Sequence, residues 1–151
     1  MPGPRLQVTI DCRDPQRLVA FWCAALGYVP EPPPGGRSTW VDHWRATGIP
    51  EEELIGAGEE PESIVDPDGV RPRIWFQVVP EVKTVKNRVH LDIDVTDGRS
   101  APLADRQRQV DTEVRRLEEL GARVLGSHAP EGADYYAVTM ADPEGNEFCL
   151  S

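Results

Sequence analysis

Apolar and polar residues alternate at several places along the chain, and each such stretch reads as a strand with one face turned to a core. Leu6, Val8 and Ile10 alternate with Gln7, Thr9 and Asp11. Ile74, Phe76 and Val78 alternate with Trp75, Gln77 and Val79, and Val89, Leu91, Ile93 and Val95 alternate with His90, Asp92 and Asp94. A period of two sends each set to its own side of a pleated strand. The same reading starts a strand at Tyr28 and Val29, and predicts others at 122–126, 135–140 and 147–150.

Two stretches carry the helical period instead. Leu18, Val19, Phe21, Trp22, Ala25 and Leu26 fall near i, i+3, i+4, i+7, i+8 spacing. Asp14 stands at the N-cap, Pro15 at the first helical position and Gly27 where a left-handed residue ends a helix. Val110, Val114, Leu117 and Leu120 give a second helix, ended by Gly121 and approached through a polar, turn-rich stretch at 96–109. Residues 31–62 break both periods with proline, glycine and acid and read as an extended insertion. Within it, Trp40, Val41, His43 and Trp44 predict a strand or turn that packs on something apolar.

The order of elements repeats. Strand, helix ending in Leu-Gly, strand, Asp-Pro-acid-Gly turn and strand occur twice, so that Leu26-Gly27 answers Leu120-Gly121 and the turn at 66–69 answers that at 142–145. This predicts an α+β fold: two βαβββ modules, at about 1–80 and 86–151, whose curved mixed sheets enclose a cleft within one domain. Lys83, Lys86, Asn87 and Arg88 fall in the connection and suit a structural junction better than an anion site.

Charge and cysteine usage narrow the partners. The 151 residues carry 26 acidic against 16 basic side chains, a net charge of −10, which works against nucleic acid and anionic membranes and leaves small molecules as ligands. Neither a signal-peptide pattern nor an apolar run of membrane-spanning length is found, so a cytoplasmic protein is expected. Cys12, Cys23 and Cys149 form no CxxC pair and read as buried or half-buried thiols, not as a disulfide framework or a thiolate zinc site. His128 falls near an expected loop and reads as solvated. No G-x-S-x-G context or phosphate-binding loop is present.

The segments DPDGVRPRIWFQVVPEVKTVKNRVHLDIDV and ADYYAVTMADPEGNEFCLS resemble glyoxalase-like domains of the vicinal oxygen chelate superfamily, which includes glyoxalases, extradiol dioxygenases and bleomycin-resistance proteins. The likeness covers nearly the whole chain outside 31–62. It implies metal ligands at Gln7, Gln77, His90 and Glu147, all on the polar parity of their strands, with Glu147 also placed to transfer a proton. Trp75, with Tyr135 or Tyr136, would wall the substrate pocket. Gln77 departs from the usual carboxylate and leaves the set with a formal charge of about −1, a weaker attraction for a divalent ion.

Two functions follow from the resemblance. One is a lyase or isomerase in which one divalent ion (Zn, Ni, Mn, Mg or Fe) stabilises vicinal oxygens of an enediolate-like intermediate. The other is a small-molecule binding protein of the bleomycin-resistance type with no cofactor. Association as a homodimer is expected in either case.

Overall fold

Asp14 and Gly27 act as the sequence places them. The Asp14 carboxylate accepts a hydrogen bond from the Arg17 amide at 3.1 Å, and Gly27 closes the helix with φ of 67°. The computed structural model, which describes residues 2–151, divides the chain into one unit ending at Glu81 and another running from Val82 to Ser151. The first holds β1 (Gln7–Cys12), α1 (Pro15–Leu26), β2 (Val29–Pro30), α2 (Trp40–Ala46), β3 (Ser63–Val65) and β4 (Arg73–Val78). The second holds β5 (Leu91–Ile93), α3 (Leu103–Glu119), β6 (Arg123–His128), β7 (Ala137–Ala141) and β8 (Glu147–Leu150).

Each unit forms one mixed four-stranded sheet with a helix against it. The strand orders are β1-β4-β3-β2 and β5-β8-β7-β6, with β1 parallel to β4, β5 parallel to β8, and the other pairs antiparallel. The architecture is α+β, a βαβββ order used twice. In the first unit Leu18 and Trp22 of α1 are buried with Ile64, Ile74 and Phe76. In the second, Val110 and Leu117 of α3 are buried with Met140, Phe148 and Leu150. The apolar parity of the strands therefore faces the helices, and the polar parity lies on the other face of each sheet.

The two Asp-Pro-acid-Gly turns are built alike. Asp66 accepts from the amides of Asp68, Val70 and Arg71 and from the Arg71 guanidinium. Asp142 accepts from the amides of Glu144 and Asn146 and from the Asn146 side chain. Gly69 and Gly145 take φ of 69° and 91°, which a side chain would oppose. Among the described residues no helix is long and apolar enough to cross a membrane.

Five expectations are corrected. Trp40, His43 and Trp44 lie on a helix, not a strand or turn: the Thr39 hydroxyl caps it by accepting from the Asp42 amide at 3.1 Å, and Trp40 meets Trp44 one turn on. The helix expected around Val110 begins at Leu103, because buried Arg106 extends the Val110, Val114, Leu117 stripe by one turn under a charged name. Its guanidinium is satisfied there by Asp134 and the Ala101 carbonyl. The strand expected at 89–95 shrinks to Leu91–Ile93, since its sole neighbour β8 is four residues long, and Val89 is exposed. The strand expected at 135–140 begins at Ala137, leaving Tyr135 and Tyr136 ahead of it, and β6 extends to His128, which is a strand residue.

Candidate functional site

On the first unit's polar face, register sets Gln7 beside Arg73, Thr9 beside Trp75 and Asp11 beside Gln77, with Ser63 of β3 on the other side of Trp75. Arg73 donates to the Gln7 side-chain oxygen at 2.7 Å and to Glu31 at 2.6 Å, and the Ser63 hydroxyl donates to the same Glu31 oxygen at 2.6 Å. The amide oxygen that Gln7 would offer a metal thus already accepts from a guanidinium. Gln77 is exposed near the end of β4. Trp75 lines a cavity of about 100 Å³ together with Trp40, Trp44, Glu60 and Glu62.

On the second unit's polar face, Asp92 is directly opposite Cys149 in the parallel β5–β8 ladder, and His90 precedes β5 on the same parity. His90 Nε2 lies 3.2 Å from Asp92 Oδ1. One donor atom each from His90, Asp92 and Cys149 falls within 4.8 Å of the others. Cys149 Sγ contacts Thr139 Oγ1 of β7, its ladder partner on the same face, at 3.3 Å, and Thr139 Oγ1 is 3.4 Å from His128 Nε2 of β6.

Glu147 shares this face but not this cluster. Its carboxylate accepts from Lys86 at 2.8 Å, with Lys83 4.0 Å away on the other oxygen. The Lys86 hydrogen bond, opposed by partial desolvation and assisted by the charges of both lysines, holds the carboxyl below its ordinary value. That keeps Glu147 ionised and makes it a weaker proton acceptor. The basic connection therefore binds an acid within its own unit, and Asn87 adds a bond from its side chain to the Val89 carbonyl.

Asp92 and Cys149 were missed as a pair with His90, although parity carried the signal: His90 and Asp92 alternate against Leu91, and Cys149 alternates against Phe148 and Leu150. Cys149, read as a buried or half-buried thiol, is half-buried and stands beside an imidazole and a carboxylate.

Tyr136 turns toward α3, where its hydroxyl donates to Asp111 at 2.6 Å. Tyr135 is exposed, and both tyrosines line a hollow of about 90 Å³ with Asp94, Thr96, Arg99 and Arg106. The hydrogen bond to Asp111, then burial, push the Tyr136 hydroxyl up to about 12. Because the folded chain favours its neutral form, this bond stabilises below the ordinary tyrosine value of about 10 and is lost as pH rises through about 12. In an ultraviolet titration, the last of the three tyrosines to ionise is expected to disappear in Tyr136→Phe. A variant trace retaining that late step would assign it elsewhere.

The family model described as "Glyoxalase-like domain" matches residues 7–151. Solved structures share the fold at low identity. Hypothetical protein SA1046 from S. aureus aligns at TM-score 0.60 and 14% identity, over 99% of this chain and 94% of that one. A glyoxalase/bleomycin resistance protein/dioxygenase family enzyme from Burkholderia phytofirmans PsJN aligns at TM-score 0.57 and 18% identity, over 95% and 94%. A mutant of the genomically encoded fosfomycin resistance protein FosX from Listeria monocytogenes, complexed with Mn(II) and 1S,2S-dihydroxypropylphosphonic acid, aligns at TM-score 0.62 and 11% identity, over 99% and 92%. No curated protein sequence matches significantly.

Proposed function

Because the chain belongs to the glyoxalase-like domain family, we propose that it is a divalent-metal-dependent lyase or isomerase of a small molecule, with the metal on the second unit's polar face. The observation that carries this reading is the clustering of His90, Asp92 and Cys149 donor atoms within 4.8 Å. The donor set fits a metal. The 3.2 Å between His90 Nε2 and Asp92 Oδ1 is close to the edge of a tetrahedron with bonds of about 2.0–2.1 Å. An imidazole, a carboxylate and a thiolate together carry a formal charge of about −2, and the soft sulfur selects zinc or ferrous iron over magnesium.

These three residues would hold the ion and leave a position open to substrate. Such a cation supplies Lewis-acid polarisation of substrate oxygens. Thr139 orients the Cys149 sulfur, and the Lys86–Glu147 pair presents an exposed ammonium to substrate anions beside an acid kept ionised. The FosX structure with Mn(II) supports a metal in this fold.

The set Gln7, Gln77, His90 and Glu147 is the competing ligand assignment, and two of its members already hold cations: Gln7 the Arg73 guanidinium, Glu147 the Lys86 ammonium. That same engagement favours a second reading, metal-free binding of a small molecule. Metal analysis of protein purified without chelator and supplied with zinc separates all three. About one equivalent is expected, falling at least tenfold in His90→Ala and in Cys149→Ala and persisting in Glu147→Gln. Loss in Glu147→Gln with retention in Cys149→Ala would return the ligands to the other set. No metal in the unaltered protein would leave the binding reading.

A further inference from the structure

The first unit carries a pocket that the metal reading does not use. Its walls are Trp40 and Trp44 from α2 and Trp75 from β4, with Glu60 and Glu62 at its margin. The aromatic wall is fixed. Trp40 and Trp44 touch with ring centroids 5.4 Å apart and planes inclined by 32°, and the Trp40 indole donates to the Glu31 carbonyl at 3.0 Å. Trp75 is set by its ladder positions opposite Thr9 and Ser63.

The charges around the pocket do not cancel. Arg73 also lines it, but its guanidinium is answered by Glu31 and Gln7. Glu60 and Glu62 form no ion pair and no side-chain hydrogen bond among the described residues. Glu62 is pinned beside β4, where its carbonyl accepts from the Phe76 amide at 2.8 Å. Burial pushes the Glu62 carboxyl up, as it does for a half-buried acid that lacks a cationic partner. Indole faces are electron-rich and add attraction for positive charge.

Size and shape select among cations. The volume of about 100 Å³ is well below the roughly 300–1,000 Å³ of pockets that take drug-sized ligands and suits a small headgroup. Trp40 and Trp44 are in contact and tilted by 32°, so between the two of them there is one continuous wall and no parallel slot for a flat ring. A bare metal ion or primary ammonium would give up strong hydration for two carboxylates at the margin of an otherwise indole-rich wall. An alkylated ammonium is weakly hydrated, rounded and apolar at its surface.

We propose that Trp40, Trp44 and Trp75, with Glu60 and Glu62, form a cage for the quaternary or tertiary ammonium group of a small organic cation. The site lies within the first unit and stands independently of metal on the second.

Choline and its neutral carbon isostere 3,3-dimethylbutan-1-ol test it, with tryptophan fluorescence and titration calorimetry as readouts. Choline is expected to bind saturably and the isostere at least about tenfold more weakly, the share that cation–π and carboxylate attraction supply. Trp44→Ala is expected to weaken choline by about tenfold or more, and Glu62→Gln by about threefold, with unchanged far-ultraviolet circular dichroism. Should Trp44→Ala unfold α2, the isostere comparison and Glu62→Gln still decide. Equal affinity for choline and the isostere, no saturable choline binding, or a folded Trp44→Ala with unaltered affinity would each overturn the proposal.

Discussion

Phe148→Ala is expected to destabilise the second unit by about 3–5 kcal/mol, read from the urea midpoint at constant slope. Phe148 is 1% exposed and sits on β8, between β5 and β7, opposite Leu91 on one side and Met140 on the other. Truncating it gives up the transfer of the ring's apolar area out of water and leaves a void in the second unit's buried layer, beside Met140, its ladder partner on β7. The loss is a large part of the 5–15 kcal/mol that folded domains of this size possess. Phe148→Leu, which keeps most of the volume, is expected to cost about 1.5 kcal/mol or less. Equal effects of the two variants would show that the ring is not packed as described.

Asp66→Ala is the second large effect, acting through a turn and not through apolar contact. The carboxylate accepts from three backbone amides, at 3.2, 3.2 and 2.9 Å, and from Arg71 at 2.9 Å. Without it those amides lose their acceptor, and a fall in Tm of about 6–12 °C is expected for a chain of this length. The Arg71 side chain, followed by its amide, holds the Asp66 carboxyl well below the usual carboxylate range. The folded state therefore prefers the ionised form. Its contribution is complete above the unfolded value of about 3.9 and is lost as pH falls below it toward the lower folded value. The gap in Tm between the unaltered protein and Asp66→Ala should accordingly narrow below about pH 4. A gap that stays constant from about pH 7 to about pH 3 would mean the carboxylate's charge is not what holds the turn.

The parts of the fold that were legible are those in which one residue type has one physical use. Asp14, Pro15 and Gly27 bound α1 because each suits its position through backbone chemistry alone. The twin turns at Asp66 and Asp142 showed through their aspartate and glycine, whose side-chain oxygen and positive φ nothing else supplies as readily. What stayed hidden depended on partners far away in sequence. Arg106 occupies a buried helical position only because Asp134 and the Ala101 carbonyl receive its guanidinium, so polarity masked the start of α3. The helix at Trp40 lay inside a stretch whose composition argues for loop. At the candidate site, parity placed His90 and Glu147 on one face, but ladder register, which parity cannot give, set Cys149 and not Glu147 beside Asp92.

The strand order has a bearing on how the chain comes off the ribosome. In each unit the earliest strand has a single neighbour, and that neighbour is the latest to be made: β1 waits for β4, and β5 waits for β8. Until then the nascent unit holds an open hydrogen-bonding edge and an uncovered row of apolar side chains. Neither unit can close its sheet stepwise during synthesis, and each is expected to snap shut only when its final strand clears the exit tunnel. A translation pause imposed while β4 is still inside the exit tunnel should therefore lengthen the first unit's exposure to chaperones far more than one imposed after β4 has emerged.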